Sequence, residues 1–326
     1  MIEKLKYYIS NSLNPYKNLA VEKYLLDNIE DDCITLYLWQ NDNTVVIGRN
    51  QNPWAECNCS LLEKEGGHLA RRLSGGGGVF HDTGNLNFTF LCSTENYDLT
   101  KHMEVIKNAC AISGIEVEIS GRNDILAEGR KFSGNAFYSS KGKSYHHGTI
   151  LISADKEKMS RYLTPPEAKL ISKGVKSVKS RTINLSEINS EITCEKMKEN
   201  MLTAFSKTYG LTPELYKIKN TDEISILEKN YQSWEYLYGS TFPFSASLKE
   251  HFSWGHIEIL LQVEKGVIKD LKVYSDSMDW ELPDKIISAL QNCRFEGNDL
   301  KISLSKTIQE PVADDILKLI TQLNID

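Results

Sequence analysis

The sequence predicts a mixed α/β fold, followed by a small α+β domain at the C-terminal end of the chain. Apolar patterns that favour strands recur through residues 34–48 and 69–152. A helical pattern precedes them at residues 14–29, and another interrupts them at residues 99–113. After about residue 243 the pattern changes to a strand hairpin and then helices. We therefore expect one large domain in residues 1–243 and a second, smaller domain in residues 244–326.

Each element has a local signal. Asn14 and Pro15 begin the first helix, because asparagine is a good N-cap and proline is tolerated in the first turn. Ser60 is expected to cap a short helix that ends at the glycine pair 66–67. The predicted elements are a strand at 1–8, helices at 14–29 and 60–66, strands at 34–39 and 44–48, helices at 99–113, 192–208 and 221–230, a hairpin at 254–268, and helices at 282–291 and 310–323.

The composition is that of a globular protein and excludes several classes. Of 326 residues, 40% are hydrophobic and 25% are charged, and the formal net charge is −6, so no nucleic-acid partner is expected. No apolar run approaches the ~20 residues needed to span a bilayer, and residues 1–8 lack the pattern of a signal peptide. No membrane partner is expected. The seven scattered cysteines favour reduced thiols and hence a cytoplasmic protein.

The most informative segment is residues 71–82, which read RRLSGGGGVFHD. Four consecutive glycines cost conformational entropy, and such a run persists where backbone approaches a ligand closely. Its amides suit an anion, and the arginines before it suit phosphate or carboxylate. No Gly-Lys-Ser/Thr follows, and a β-like run replaces the helix of a dinucleotide fingerprint. The alternative is a flexible linker, which the flanking strand patterns disfavour.

Two later segments carry candidate polar residues. Lys131 lies among small residues in segment 121–136, either as an exposed turn lysine or as a point charge for a phosphate or carboxylate oxygen. Asp124 would orient that lysine or hold Mg²⁺. In segment 146–151, which reads HHGTIL, adjacent histidines on a strand face opposite sides. His147 is either part of a ligand tunnel or a structural histidine.

Together these segments resemble the lipoate–protein ligase family, within the wider group of biotin ligases, lipoate ligases and octanoyltransferases. The resemblance rests on the loop at 71–82 followed by GNLN at 84–87, on GRNDI at 121–125, on KFSGNA at 131–136 and on HHGTIL at 146–151. Residues 18–22 and 176–178 fit as well, and the tail resembles the accessory domain of the ligases. Some ligases place an arginine shortly after the third motif, where this chain has Phe137 and Tyr138.

The resemblance implies an α+β catalytic domain of the biotin/lipoate ligase type, like that of class II synthetases, and an ATP-dependent enzyme. With ATP and Mg²⁺, such an enzyme converts lipoate to lipoyl-AMP and transfers the lipoyl group to a lysine of an apo lipoyl domain. The implied partners are lipoate and the lipoyl domains of 2-oxoacid dehydrogenase E2 subunits and of the glycine cleavage H protein.

Three alternatives accompany this reading. An ATP-independent octanoyl or lipoyl transferase generally uses a cysteine, and none occurs in the Lys131 or His147 motifs. A biotin ligase has a differently spaced glycine–arginine loop. A non-catalytic homologue would only bind lipoate or nucleotide, and the intact Lys131 and Asp124 argue against it.

The resemblance also implies roles for individual residues. Lys131 is the expected catalytic residue, bridging the lipoate carboxylate and the α-phosphate. The residues expected at ATP or lipoyl-AMP are Arg71, Arg72, Gly77, Gly78, Val79, Phe80, Asn123 and Asp124, with Asp124 also a ligand of Mg²⁺. The residues expected at lipoate, besides Lys131, are Ser74, Gly75, Gly76, His81, Asn85, Ser133, Gly134, Ala136, His147, Gly148 and Thr149. The basic loop at 169–179 is expected to close over the adenylate.

Overall fold

The computed structural model describes residues 2–49, 51–120, 124–163, 182–239, 244–275, 277, 279 and 281–323. The strands in these ranges are β1 (Lys4–Ile9), β2 (Cys33–Trp39), β3 (Thr44–Ile47), β4 (His68–Arg71), β5 (Val79–His81), β6 (Asn85–Ser93), β7 (Glu118–Ser120), β8 (Asp124–Ala127), β9 (Arg130–Ser140), β10 (Lys143–Leu151), β11 (Pro213–Leu215), β12 (Phe244–Phe252), β13 (Gly255–Glu264) and β14 (Val267–Ser275).

The α-helices in the same ranges are α1 (Pro15–Asp27), α2 (Pro53–Glu56), α3 (Cys59–Lys64), α4 (Leu99–Ile112), α5 (Lys156–Tyr162), α6 (Cys194–Tyr209), α7 (Thr221–Gln232), α8 (Trp234–Leu237), α9 (Leu282–Leu290), α10 (Gly297–Ser305) and α11 (Val312–Thr321). Short 3-10 helices occupy Thr94–Asn96 and Leu185–Glu187. None of the helices in the described part of the chain is long and apolar enough to cross a membrane.

A large mixed sheet forms the centre of the chain before β12, with the strand order β11-β1-β2-β6-β10-β9-β8-β7. β1 runs parallel to β2 and β11, and the pairs from β2–β6 to β7–β8 are antiparallel. On one face Leu36 and Phe90 pack with α4 and α6, and on the other Tyr37 and Trp39 pack with α1. Because both faces are covered, the central strand β2 is almost continuously apolar, reading CITLYLW. The predicted mixed α/β fold is confirmed.

A small sheet with the order β4-β3-β5 positions the glycine loop. β3 is parallel to β4 and antiparallel to β5, so the chain between residues 71 and 79 connects the two neighbours of β3. The glycine run therefore lies between two ordered strands, as the sequence predicts, and its ends are fixed by backbone hydrogen bonds.

The helix starts agree with the sequence in one case and correct it in another. The Asn14 side chain accepts from Tyr16 N at 2.9 Å, which confirms the predicted start of α1. The N-cap of the short helix α3 lies two residues earlier than expected, at Asn58, whose side chain accepts from Leu61 N at 3.3 Å. The prediction that Ser60 caps this helix was wrong, because Asn58 supplies the side-chain acceptor for the free amide of the first turn.

The tail is an antiparallel sheet, β12-β13-β14, covered by α9, α10 and α11. The predicted hairpin is β13–β14, and β12 pairs with β13 as a further strand that the sequence did not indicate. The helix α10 was also missed, since its buried residues are essentially Leu300 and Leu304, one turn apart. The tail contacts the preceding part of the chain at Trp54, whose ring lies 5.1 Å from Phe295 in an edge arrangement.

A buried histidine on α4 makes the stability of the fold depend on pH. The His102 ring stacks on Phe90 with ring centroids 4.6 Å apart, and within the described residues neither ring nitrogen has a hydrogen-bond partner. Burial lowers the pKa of His102 to about 4. The unfolded chain has an ordinary histidine pKa near ~6.5 and binds the proton more tightly, so stability is lost as pH falls from about 6.5 towards 4.

We expect His102 to make the free energy of unfolding about 2 kcal/mol lower at pH 5 than at pH 8. The variant His102→Phe should lack this contribution, because phenylalanine fills the stack without a titratable group. Urea denaturation of both proteins at the two pH values measures the difference. Other buried histidines are common to both proteins, so an equal pH dependence in the variant would show that His102 is not the source.

Candidate functional site

A cleft of about 390 Å³ opens between the glycine loop (residues 75–78) and the α1 side of the large sheet. Its walls combine apolar side chains, charged groups and bare backbone. The described residues that line it are Leu19, Trp39, Val46, Arg72, Gly75, Gly76, Gly77, Gly78, Val79, His81, Asn87, Asp124, Lys131, Gly134, Asn135, Ala136, His147, Gly148 and Thr149. An apolar wall beside charged groups suits an elongated ligand with an apolar chain and an anionic group.

The Arg72 guanidinium fixes the glycine loop through the loop's carbonyl groups. It donates to Gly75 O at 2.8 Å and to Gly77 O at 2.9 Å. Gly76 has a φ of +96°, a conformation that favours glycine, and a Cβ at Gly48 would lie 2.1 Å from Gly76 O. Burial lowers the pKa of Arg72 to about 10, so this side chain still carries its positive charge beside the loop at neutral pH.

The structure does not bring Arg71 to the cleft, although the sequence predicted a contact with ATP. Arg71 is 1% exposed, and its guanidinium donates to Gln51 O at 2.8 Å, to Arg49 O at 3.0 Å and to the carbonyls of Tyr236 and Leu237. With its donors directed at backbone carbonyls, Arg71 joins β4 to α8 and has no free face for a phosphate. The two adjacent arginines point to opposite sides of the strand end.

Lys131 lies in the cleft wall with Asp124 beside it. Lys131 Nζ is 2.8 Å from Asp124 Oδ1, and both side chains are about one-third exposed. The lysine passes over Gly134, where a Cβ would lie 3.0 Å from Nζ, so the glycine makes room for the ammonium group. Gly134 N donates to Thr149 Oγ1 at 3.2 Å, which ties this part of β9 to β10. The ion pair places one cation and one carboxylate at the cleft surface.

His147 connects the cleft to a buried chain of hydrogen bonds. Its Nε2 is 2.7 Å from Ser74 Oγ, and its Nδ1 is 2.8 Å from Glu22 Oε1. Glu22 also accepts from Thr89 Oγ1 at 2.7 Å, and Trp39 Nε1 donates to Thr89 Oγ1 at 3.1 Å. Since the Glu22 carboxylate only accepts, His147 donates to it through Nδ1, while Nε2 pairs with the Ser74 hydroxyl. This chain fixes two cleft-lining rings, those of Trp39 and His147.

His146 faces the other side of the sheet, as the strand alternation predicts. Its Nε2 is 2.8 Å from Asn135 Oδ1, and its ring stacks with Phe90. Burial, and then the neighbouring histidines His102 and His147, hold the pKa of His146 well below its usual value. His146 is therefore a neutral core residue and lies outside the cleft.

Two cleft-lining polar atoms lack a hydrogen-bond partner within the described residues, namely His81 Nε2 and Asn87 Nδ2. Asn41 Nδ2 donates to His81 Nδ1 at 3.1 Å, so the ring proton resides on the unpartnered Nε2. Burial, followed by the charges of Arg72 and His147, lowers the pKa of His81 to about 3 and keeps the ring neutral. Both atoms are donors, and buried donors without partners favour a ligand acceptor in the cleft.

The structure gathers most of the predicted residues at the cleft, with some exceptions. Ser74 lies behind the wall, bonded to His147, and Asn85 is buried and donates to Asn87 Oδ1 at 3.0 Å. Phe80 and Ser133 line a neighbouring cavity of about 150 Å³ that shares Lys131 with the cleft. Asn123 and the loop at 169–179 lie outside the described residues.

Sequence reasoning missed several residues of the cleft. These are Leu19, Trp39, Val46, Asn87 and Asn135. Leu19 belongs to a segment that matched the family pattern, and Asn87 belongs to the GNLN motif. Both segments were recognised in the sequence, but neither residue was assigned a role. In the described residues no group of three or more His, Cys, Asp or Glu side chains is arranged to hold a metal ion.

Comparison with known proteins gives two family matches and several relatives. Residues 14–206 match the lipoyl protein ligase A/B catalytic domain, and residues 241–320 match the bacterial lipoate protein ligase C-terminus. A lipoate-protein ligase A of Bdellovibrio bacteriovorus is 39% identical over 312 residues, which cover 93% of this chain and 92% of the relative.

Among solved structures, LipL1 of P. falciparum in complex with lipoate has 32% identity and a TM-score of 0.64, covering 98% of this chain and 99% of its own. A bipartite lipoate protein ligase of Thermoplasma acidophilum with its E2 lipoyl domain has 24% identity and a TM-score of 0.62, covering 73% of this chain and 96% of its own. A lipoate-protein ligase A bound with ATP has 24% identity and a TM-score of 0.59, covering 72% and 96%. The last two show the same fold.

Proposed function

This chain belongs to the lipoate–protein ligase family, and from that premise we propose that it forms lipoyl-AMP from lipoate and ATP and transfers the lipoyl group to a lysine of a lipoyl domain. The observation that carries the proposal is one cleft with an apolar wall, formed by Leu19, Trp39 and Val46, beside the Lys131 ammonium and the glycine loop. An acyl chain fits the wall, and the carboxylate and phosphate fit the charged part.

In the first step the lipoate carboxylate attacks the α-phosphorus of ATP, and pyrophosphate leaves. Lys131 is proposed to bridge the carboxylate and the α-phosphate oxygens, supported by its position over Gly134 in the cleft wall. Arg72 contributes its charge and holds the loop carbonyls, while the amides of residues 77–80 are proposed to face the nucleotide. The enzyme supplies no nucleophile, so catalysis depends on positioning and on fixed charge.

Mg²⁺ is proposed as a companion of ATP, and the residues present fit this limited role. Asp124 is the carboxylate among the described residues that line the cleft, and Mg²⁺ is commonly bound by one or two carboxylates together with substrate phosphates and water. The ion would neutralise charge on the phosphates. Asp124 forms an ion pair with Lys131 at 2.8 Å. On binding, the Asp124 carboxylate would therefore face the cation and the Lys131 ammonium would face the phosphate.

In the second step the ε-amine of an acceptor lysine attacks the acyl carbonyl, and AMP leaves. The apo lipoyl domains of 2-oxoacid dehydrogenase E2 subunits and of the glycine cleavage H protein are the proposed acceptors. The E2 lipoyl domain solved with a ligase of this fold supports the first of these. The loop at 169–179 is proposed to cover the adenylate, and residues 1–243 and 244–326 are proposed as the two domains.

Two features favour the ligase over an ATP-independent transferase. No cysteine is among the described residues that line the cleft. Burial also raises the pKa of Cys92 and of Cys110 to about 12, which suppresses thiolate formation at neutral pH. All seven cysteines are free thiols, which supports a reducing compartment, and we propose that the protein is cytoplasmic.

The test is incubation of the purified protein with lipoate, Mg-ATP and a panel of apo lipoyl domains, with and without ATP. We expect a lipoyl mass gain on at least one domain, only when ATP is present, with AMP and pyrophosphate as products. Acyl transfer in the absence of ATP would support the transferase instead, and lipoate binding without any product would support a non-catalytic homologue.

A further inference from the structure

Glu56 lies against the glycine loop and has no part in the chemistry described above. It is the last residue of α2, and its Oε2 accepts from Gly78 N at 2.7 Å. The residue is only 6% exposed. Among the described residues Glu56 forms no ion pair within 4.0 Å, and its charge opposes part of the lowering of the Arg72 pKa that burial causes. The buried carboxylate therefore accepts from one amide of the loop and lies within reach of the Arg72 charge.

That amide belongs to the class of group that suits a phosphate. Backbone N–H groups of glycine-rich loops bind anions because they need no side chain and lie close to the ligand. The loop's carbonyls at Gly75 and Gly77 are turned to Arg72, so the amides are left to face the other way. Glu56 thus presents an anionic oxygen at a position where the nucleotide would present one.

The position of Glu56 is set by anchors outside the loop. The side chain of Asn52 accepts from Trp54 N at 3.1 Å and begins α2. The Trp54 ring packs 5.1 Å from Phe295 and 5.4 Å from Tyr238, measured between ring centroids. Because these contacts do not involve the glycine loop, they hold α2 independently of it, and the carboxylate charge would act on a phosphate bound near Gly78.

We propose that Glu56 is a positioning residue that occupies the Gly78 amide in place of a nucleotide phosphate, and that the phosphate of ATP competes with it. This inference rests on the proposed function, since it takes the loop to be the nucleotide site. Two effects follow from the geometry. The empty loop keeps its shape because an internal anion occupies it, and the affinity for ATP is lowered because a buried negative charge must be displaced or opposed.

The experiment separates charge from hydrogen bonding. Glu56→Gln keeps an oxygen acceptor and removes the charge, whereas Glu56→Ala removes both. Glu199→Gln is the matched control, because Glu199 is an exposed carboxylate on α6 that does not line the cleft. Isothermal titration calorimetry on the full chain gives the Kd for Mg-ATP and, separately, for lipoate, and thermal melting checks the fold.

We expect both Glu56 variants to bind ATP about tenfold more tightly than wild type, a change that removal of one nearby charge readily produces. Their Kd for lipoate and all values for Glu199→Gln should stay at wild-type levels. ATP affinity that is unchanged in Glu56→Gln, or weaker in Glu56→Ala, would overturn the proposal and leave Glu56 as a support of the loop. If Glu56→Ala has a lower melting temperature than wild type, the ATP affinity of the near-isosteric Glu56→Gln variant is the result that tests the proposal.

The binding measurement does not depend on turnover, so the two hypotheses fail in different ways. A wild-type protein that binds ATP but never forms lipoyl-AMP from lipoate contradicts the proposed function. In that case the ATP affinities of the Glu56 variants still test whether Glu56 competes with phosphate for the Gly78 amide.

Discussion

Replacing Lys131 with alanine is expected to reduce lipoate-dependent exchange between ATP and pyrophosphate by about 10²–10³-fold, the loss typical of removing one preorganised contact to a charged transition state. The ammonium is fixed in the cleft by the 2.8 Å contact with Asp124 Oδ1 and by the space above Gly134. With it gone, Asp124 stays as an uncompensated negative charge, which also opposes the phosphates.

The fold should be unaffected by this change. The Lys131 side chain is 38% exposed, so its removal leaves no buried cavity, and a stability change of at most about 0.5–1 kcal/mol is expected for such a site. Lys143→Ala is a matched control, since Lys143 begins β10 and does not line the cleft. Wild-type exchange in Lys131→Ala would remove Lys131 from its proposed role.

A double variant separates the two causes of the loss. Lys131→Ala combined with Asp124→Asn removes the cation and the unpaired carboxylate together. We expect it to bind ATP more tightly than Lys131→Ala alone while exchange stays low, because the transition-state contact is still missing. Equal ATP affinity in the single and double variants would show that the freed Asp124 charge does not reach the phosphates.

The sequence predicted the cleft well where function requires a particular backbone. Gly76 needs a positive φ, and Gly134 leaves space for the Lys131 side chain. Because glycine is the residue that meets both requirements, such positions can be recognised from the sequence alone. The positions of β2 and β3 were also predicted, because apolar runs bounded by turn residues mark them, whereas the order of strands in the sheet was not. The resemblance to the ligase family indicated that this mixed α/β fold is of the biotin/lipoate ligase type. Composition and periodicity alone did not indicate that type.

The same reasoning failed where the partner of a side chain is distant in sequence. Arg71 and Arg72 are adjacent and identical in type, yet Arg71 donates to Leu237 O, far along the chain, while Arg72 holds the glycine loop. Glu56 showed no signal, since it lies in a short helix and meets Gly78 only in the folded chain. Such contacts are properties of tertiary packing, which a motif does not contain.

Placing a methyl group on Gly48 is expected to disable the glycine loop, although Gly48 does not line the cleft. A Cβ there would lie 2.1 Å from Gly76 O and 3.2 Å from Gly75 C, so backbone must move. The loop has little freedom to do so, because Arg72 holds the carbonyls on both sides of Gly76. We expect Gly48→Ala to lower the exchange rate at least about tenfold, with a stability cost of about 1–3 kcal/mol.

Gly75→Ala is the informative comparison for this variant. A Cβ at Gly75 meets no atom within 4 Å, and the residue does not have a left-handed φ, so the melting temperature should equal that of wild type. Any loss of exchange in Gly75→Ala then reports contact with the ligand, whereas a loss in Gly48→Ala with a lower melting temperature reports displacement of the loop. Wild-type exchange in Gly48→Ala would show that nucleotide binding and adenylation do not require the loop conformation that Gly48 permits.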